Sequence, residues 1–220
     1  MKKYYSYFFF FILTIYSAIL ISLEINVSQE YVRNFFTDIE GDVPLYAVNT
    51  SLSVLLLLGT SLIFIIVLKT LPKGENSKKI LFYQSQVILF AYLGLDDRFL
   101  IHEHIGYVFG INDALIFAGL GVLEIILILA WSGYQKWSKR TRKYLLAAAT
   151  CSILMILIDG AFPSEMVPRL SLEDLFKTWA NAFIFIFAWS ILMQNINTLK
   201  LKSQALMNRD FIADRNLKAS

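Results

Sequence analysis

The sequence predicts an all-α, polytopic integral membrane protein built as a six-transmembrane-helix bundle. Three observations carry that expectation. Of the 220 residues, 57% are hydrophobic, above the ~45–50% usual for a soluble domain. The excess falls in blocks of about 20 residues, enough to cross ~30 Å of hydrocarbon as a helix. Lipid offers no water to an exposed backbone, so the spanning segments must be helical. Sixteen of the twenty Lys and Arg also lie in the segments that six spans would place on one side.

The spans are expected at about 4–23, 45–68, 80–101, 113–131, 144–160 and 172–194, forming a membrane domain over 1–195, with a tail over 196–220. Met1-Lys2-Lys3 precedes the first. Its apolar run exceeds the ~7–15 residues of a signal peptide and lacks an Ala-x-Ala site, so a retained helix is expected. Glu24 to Pro44 reads as a polar, acidic outer loop. Lys69 to Lys79, with Pro72 and Gly74, is a short basic loop. Gly106 to Asn112 is a turn, with Asn112 placed to cap the fourth span. Ser132 to Lys143 carries five cations and no acid. Ala161 to Leu172 is a loop with Pro163 and Pro168, and Ser171 is placed to cap the sixth span. All four prolines lie in loops or at span ends, where a missing N–H does least harm.

The positive-inside rule sets the orientation. Both termini and the basic loops 69–79 and 132–143 are expected in the cytoplasm, in a cell inner (plasma) membrane. The cations then face the inner leaflet, so anionic lipid explains them better than nucleic acid, and no nucleic-acid partner is expected. The lipid bilayer is the first partner. A cytoplasmic protein at the basic loops, and an oligomer, are further candidates. Cys151 is the single cysteine, which excludes an internal disulfide or a zinc–thiolate cluster.

The polar groups that need explaining gather at the outer end of the third span. Tyr92 to Gly106 holds both histidines, His102 and His104, with Asp96, Asp97 and Glu103. Acids at that depth are costly and default to a functional hypothesis. On an unbroken helix Gln86, Asp96, Asp97, Glu103 and His104 form one stripe, with Arg98 and His102 roughly opposite. Residues seven apart are ~10.5 Å apart along the axis. Asp97 and His104 therefore share an ion only if the helix breaks near Phe99 to Ile101 or other helices contribute. Asp159, Glu173 and Asp174 lie at the same level. Carboxylates and imidazole together suit a divalent metal or acid–base chemistry, with Asp97, His104, Asp159 and Glu173 as candidate metal ligands.

Plainer roles stand beside these. Asp96 and Asp97 can pair with Arg98, Arg169 or Lys177 to fix packing, and the histidines can be ordinary interfacial residues. Glu173 and Asp174 suit a helix start, and Glu173 to Lys177 is a favourable i,i+4 pair. Glu124, near the middle of the fourth span, is expected to be neutral or bonded to Gln84, Gln86 or Asn181. Its functional reading is a proton or cation relay. Ser51, Ser53, Thr60 and Ser61 read as close-packing residues of the second span.

Leu95-Asp96-Asp97-Arg98-Phe99-Leu100-Ile101-His102-Glu103 is similar to a Leu-Asp-(Asp/Glu)-x4-His-Glu motif of small, uncharacterised, multi-pass bacterial membrane proteins. In those proteins a late span starts with a Glu-Glu-x-x-Glu-x-x-Gly-like run. Its counterpart here begins at Glu173-Asp174, with Lys177 and Ala180 where that pattern has Glu and Gly. The resemblance implies a pattern of acids, not an activity. A likeness to the membrane hydrolases that include alkaline ceramidases fails, because the sixth span has no histidine.

Three functions remain open. The first is an accessory or interaction module whose acids only fix packing. The second is a membrane-embedded metal-dependent hydrolase or metal binder, with any nucleophile a metal-activated water. The third is a proton or cation transporter or channel using Glu124 and the Asp96/Asp97 pair.

Overall fold

A computed structural model describes residues 3–36, 47–72, 74–133, 136–163 and 166–217. The outer-loop acids Asp38, Glu40 and Asp42 lie outside them. The described residues form helices and connections, with no strand among them: α1 (Lys3–Asn26), α2 (Gln29–Arg33), α3 (Val48–Lys69), α4 (Ser77–Phe99), α5 (Ile101–Phe109), α6 (Asp113–Trp131), α7 (Lys139–Ala161) and α8 (Arg169–Leu217).

Four of these contain stretches long and apolar enough to cross a membrane: Tyr7–Asn26, Val48–Lys69, Lys139–Ala161 and Arg169–Ala205. The apolar part of α6, Leu115–Trp131, is shorter. Helix α4 carries Lys78 and Lys79 at one end and Asp96, Asp97 and Arg98 at the other. The outer surface supports a hydrocarbon surrounding. Phe8, Phe11 and Ile19 of α1, Leu115, Val122 and Ile126 of α6, and Leu146, Ile153 and Leu157 of α7 are all exposed. A water-soluble monomer rarely shows apolar patches beyond a few hundred Å².

Helices α3, α4 and α8 form the centre, with α7 packed along α8. Phe64, fully buried, stacks on Tyr83 and Phe90 and meets the edge of Phe187. In lipid this arrangement gains little from leaving solvent; close packing and hydrogen bonds hold it. Small residues allow the approach. A Cβ added at Gly94 would stand 2.9 Å from Leu58 Cδ2. Ala182 and Ala188 on α8 are fully buried. Hydrogen bonds also cross the interfaces: Thr178 donates to Asn49 Oδ1 at 2.9 Å, Trp179 Nε1 to Ser17 at 2.9 Å, and Ser61 to the Val87 carbonyl at 2.9 Å.

Several boundaries differ from the expected ones. The first helix continues past 23 to Asn26, and the outer segment then forms α2, capped by Ser28 accepting from the Tyr31 N–H. The helix expected over 80–101 breaks at Leu100. The one expected from 144 begins at Lys139, because Ser138 caps it by accepting from the Thr141 N–H. The largest change is α8. It starts at Arg169, so Ser171 lies inside the helix and is not its cap, and it continues through 195 to Leu217. No Gly or Pro interrupts that stretch, and its polar half is rich in Leu, Lys, Gln, Ala and Met, all strong helix formers.

Candidate functional site: an ionic cluster at one end of the bundle

At Leu100 the chain takes the left-handed conformation, φ 52° and ψ 41°. This costs a non-glycine residue roughly 1–2 kcal/mol. Hydrogen bonds from both sides offset it. The Leu100 N–H reaches the Asp96 carbonyl at 2.7 Å, and the Asp96 carboxylate folds over the break. Its Oδ1 accepts from the His102 backbone N–H at 2.7 Å, and its Oδ2 faces His102 Nδ1 at 2.8 Å. A carboxylate in its ionised form only accepts, and against that form Nδ1 is the donor of the contact. The His102 ring rests against Phe117 of α6, centroids 4.7 Å apart. Asp96 thus caps α5, ties it to α4 and orients His102 towards α6.

Asp97, one residue on, points to α8 and pairs with Lys177. Asp97 is 4% exposed, and its Oδ2 has no hydrogen-bond partner. Lys177 also lies in the field of Asp174 and Asp96. Asp174 in turn feels Lys177, Asp97, Asp159 and Arg169. Arg169, at the start of α8, donates to Asp159 Oδ1 at 2.9 Å and to the Asp159 carbonyl at 3.2 Å, and reaches Glu173 Oε2 at 3.3 Å. Glu173 therefore pairs one turn back, with Arg169, and not forward with Lys177 as its i,i+4 spacing suggested. Lys177 is drawn to the more buried Asp97 instead. From α1, Glu24 is 2% exposed and accepts from the Ser171 backbone N–H at 3.0 Å. It supplies the first turn of α8 with the acceptor that Ser171 was expected to provide.

The structure therefore brings Asp96, Asp97, Asp159, Glu173 and Asp174 to one end of the bundle, threaded by Arg169, Lys177 and His102. Glu103 and His104 stand apart, exposed on α5. Among the described residues, no group of three or more His, Cys, Asp and Glu is placed to hold a metal. Glu124 belongs to a separate layer, where Gln86 Nε2 donates to its Oε2 at 2.8 Å.

Sequence reasoning missed Glu24. The signal available was a lone acid ending an otherwise apolar run, the position from which a carboxylate can reach a neighbouring helix start. It also placed Arg169 and Lys177 only as candidate partners, although both are cations of the cluster. Chemically, two buried carboxylates (Asp96 and Asp97) and three half-buried ones (Asp159, Glu173 and Asp174) meet Arg169 and Lys177, and helices α4, α7 and α8 are cross-linked by charge. Such pairs are strongly destabilising to break singly, whatever their net worth.

Fold and site together define an all-α protein with several helices suited to a membrane and a partly buried ionic cluster where α4, α7 and α8 meet. Within that class, the chain belongs to the family described as domain of unknown function DUF8692, whose model matches residues 7–191. The match takes in every residue of the cluster. No curated protein and no solved structure matches the chain.

Proposed function

We propose that this is a multi-pass protein of the cell inner (plasma) membrane, with six spans and both termini cytoplasmic, acting as an accessory module. It is a charge-fastened framework in lipid that presents its basic loops, 69–79 and 132–143, to a cytoplasmic protein partner. One observation carries the reading: the chain's own residues engage the outer acids. Asp97 is held by Lys177, Asp159 and Glu173 by Arg169, and Asp96 by His102. Carboxylates used this way fix helices and are not left facing a substrate.

The distance between polar layers supports it further. A relay would need to join Glu124 to Asp97. Gln86, the partner of Glu124, precedes Asp97 by eleven residues on α4, about 16 Å along the helix. Phe90 and Leu57 are buried in the stretch between.

Three measurements on the purified full-length protein test the proposal: metal content, proton flux in proteoliposomes, and assembly of the charge-swapped Asp97→Lys/Lys177→Asp variant. The accessory reading expects no stoichiometric metal, no flux, and a swap that recovers the folded species lost in Asp97→Lys alone. Zinc, manganese or iron at one equivalent, abolished by Asp97→Asn/His104→Ala, would replace it with a metal site. Flux abolished by Glu124→Gln would replace it with a transporter. The orientation is checked by a membrane-impermeant thiol reagent, which should label Lys200→Cys only after the membrane is opened.

A further inference from the structure

At the other end of the bundle from the acids, the first turn of α4, the end of α6 and the middle of α8 enclose a cavity of about 410 Å³. That volume lies in the range of ~300–1,000 Å³ typical of small-molecule sites. Its walls change character with depth. The floor contains Tyr83 and Trp137, 2% and 7% exposed. Trp131, Ile191 and Leu199 add apolar surface. The rim carries Lys78, Lys79 and Lys136 against one acid, Glu75.

That acid is already engaged. Lys79 Nζ stands 2.9 Å from Glu75 Oε2, and this hydrogen bond holds the Glu75 carboxyl below the usual carboxylate range. Lys136 also acts on Glu75 from further off; among the described residues neither Lys78 nor Lys136 makes an ion pair within 4 Å, and three lysines against one acid leave the mouth positive. Deeper in, Asn195 and Tyr83 line the cavity and interact with each other, while the buried Asn195 Nδ2 lacks a hydrogen bond of good geometry. A buried N–H without a proper acceptor is costly, and a turn of this side chain into the cavity would let a ligand oxygen relieve it.

We propose that this cavity binds a phosphate-bearing anion, with Lys78 and Lys136 supplying charge and Asn195 and Tyr83 supplying directed polar contacts. The inference draws on the same basic loops as the accessory reading, through Lys78 and Lys136, but it does not depend on that reading, since it uses neither the acidic cluster nor a protein partner. Three features select the ligand class. The surplus of lysines selects an anion. The donors come from separate elements (α4, the segment before α7, and α8), which suits the tetrahedrally arranged oxygens of phosphate better than a planar carboxylate. The aromatic and aliphatic walls accept carbon attached to the phosphate. That chemistry is met by the headgroup of an anionic lipid or by a small soluble phosphate ester.

The test uses the full chain in mild detergent. Native mass spectrometry would count bound dioctanoyl phosphatidylglycerol and dioctanoyl phosphatidylcholine. Tryptophan fluorescence, with Trp131 and Trp137 in the walls, would follow titration with glycerol 3-phosphate and with inorganic phosphate. Saturable binding of one equivalent of phosphatidylglycerol alone identifies the lipid source; saturation by glycerol 3-phosphate or inorganic phosphate identifies the soluble one.

In either case Lys78→Gln/Lys136→Gln should weaken binding about tenfold or more, the scale of a lost charge-assisted contact. Lys139→Gln/Lys143→Gln, exposed and outside the cavity, removes the same charge and should leave affinity within about twofold. Asn195→Leu keeps the net charge and should also weaken binding. No saturable binding by any probe, equal affinity for phosphatidylcholine and phosphatidylglycerol, or equal losses in the two lysine pairs would overturn the proposal.

Discussion

The Asp96 carboxylate holds His102 twice, by its backbone N–H at 2.7 Å and by its ring Nδ1 at 2.8 Å, across a single left-handed residue. The relationship explains how a helix rich in apolar residues can stop at Phe99 and restart at Ile101 with neither Gly nor Pro at the break. The side chain of Asp96 takes over the capping duty that the backbone gives up.

Asp96→Ala should therefore do more than remove a charge. It leaves the His102 backbone N–H without its acceptor and the His102 ring without its partner. The expected loss is about 3–5 kcal/mol, the range for breaking one side of a buried pair, read as a lower unfolding midpoint in detergent. Leu100→Gly should act in the opposite direction. It removes a left-handed penalty of roughly 1–2 kcal/mol, less the added freedom of the unfolded chain, and so should be neutral or mildly stabilising. A large loss at Leu100→Gly would mean that the leucine side chain, 41% exposed, holds the break together.

Lys177 and Asp97 should behave as a coupled pair. Lys177→Met and Asp97→Asn are each expected to cost several kcal/mol because a buried charge is left unmatched. The double variant should cost less than the sum, with a coupling of about 1–3 kcal/mol in a double-mutant cycle. Additive losses would show that the two side chains act independently.

Glu24→Ala should lower stability by about 1–3 kcal/mol, because the Ser171 N–H loses a charged acceptor inside the protein. Glu24→Gln keeps an oxygen in place and should recover about half of that loss. Thermal melts of the two variants side by side provide the check; equal losses would mean that charge, and not the hydrogen bond, is what α8 requires.

Two glycines should respond with opposite signs. At Gly94 a new Cβ would lie 2.9 Å from Leu58 Cδ2 and 3.4 Å from Leu57 Cβ, whereas at Gly119 nothing lies within 4 Å. Gly94→Ala should cost about 1–3 kcal/mol by overpacking the α3–α4 contact. Gly119→Ala should gain up to about 1 kcal/mol of helix propensity.

Much of this was legible in the sequence, and the rest failed for physical reasons. The start and end of α6 were found because Asn112 and Gly110 punctuate one side and a polar turn the other. The all-helical class followed from block length. Hydropathy, however, follows side chains and not backbone hydrogen bonds, so it could not see α8 continuing through a polar stretch with no breaker. Hydropathy also runs on through Phe99-Leu100-Ile101: a break there stands in the sequence only as a condition for Asp97 and His104 to share an ion, because nothing in three apolar residues announces a positive φ. The pairings of Asp97 with Lys177 and Glu124 with Gln86 were among the candidates; choosing between them needs distance. That Glu173 turns back to Arg169 depends on how α7 and α8 meet, which one chain's local spacing does not contain.

Helix α8 has 49 residues, which at ~1.5 Å per residue makes a rod of about 74 Å, well over twice the ~30 Å hydrocarbon thickness. Its first turns are pinned by Glu24, Asp159 and Asp97, while its far end has no such anchor among the described contacts. Between the two ends the rod is held from the side, by Thr178 and Asn181 against α3 and by Ser190 and Gln194 against Thr141 of α7. One uninterrupted helix therefore joins the ionic end of the bundle to its basic end, and the bundle grips it over more than about four turns.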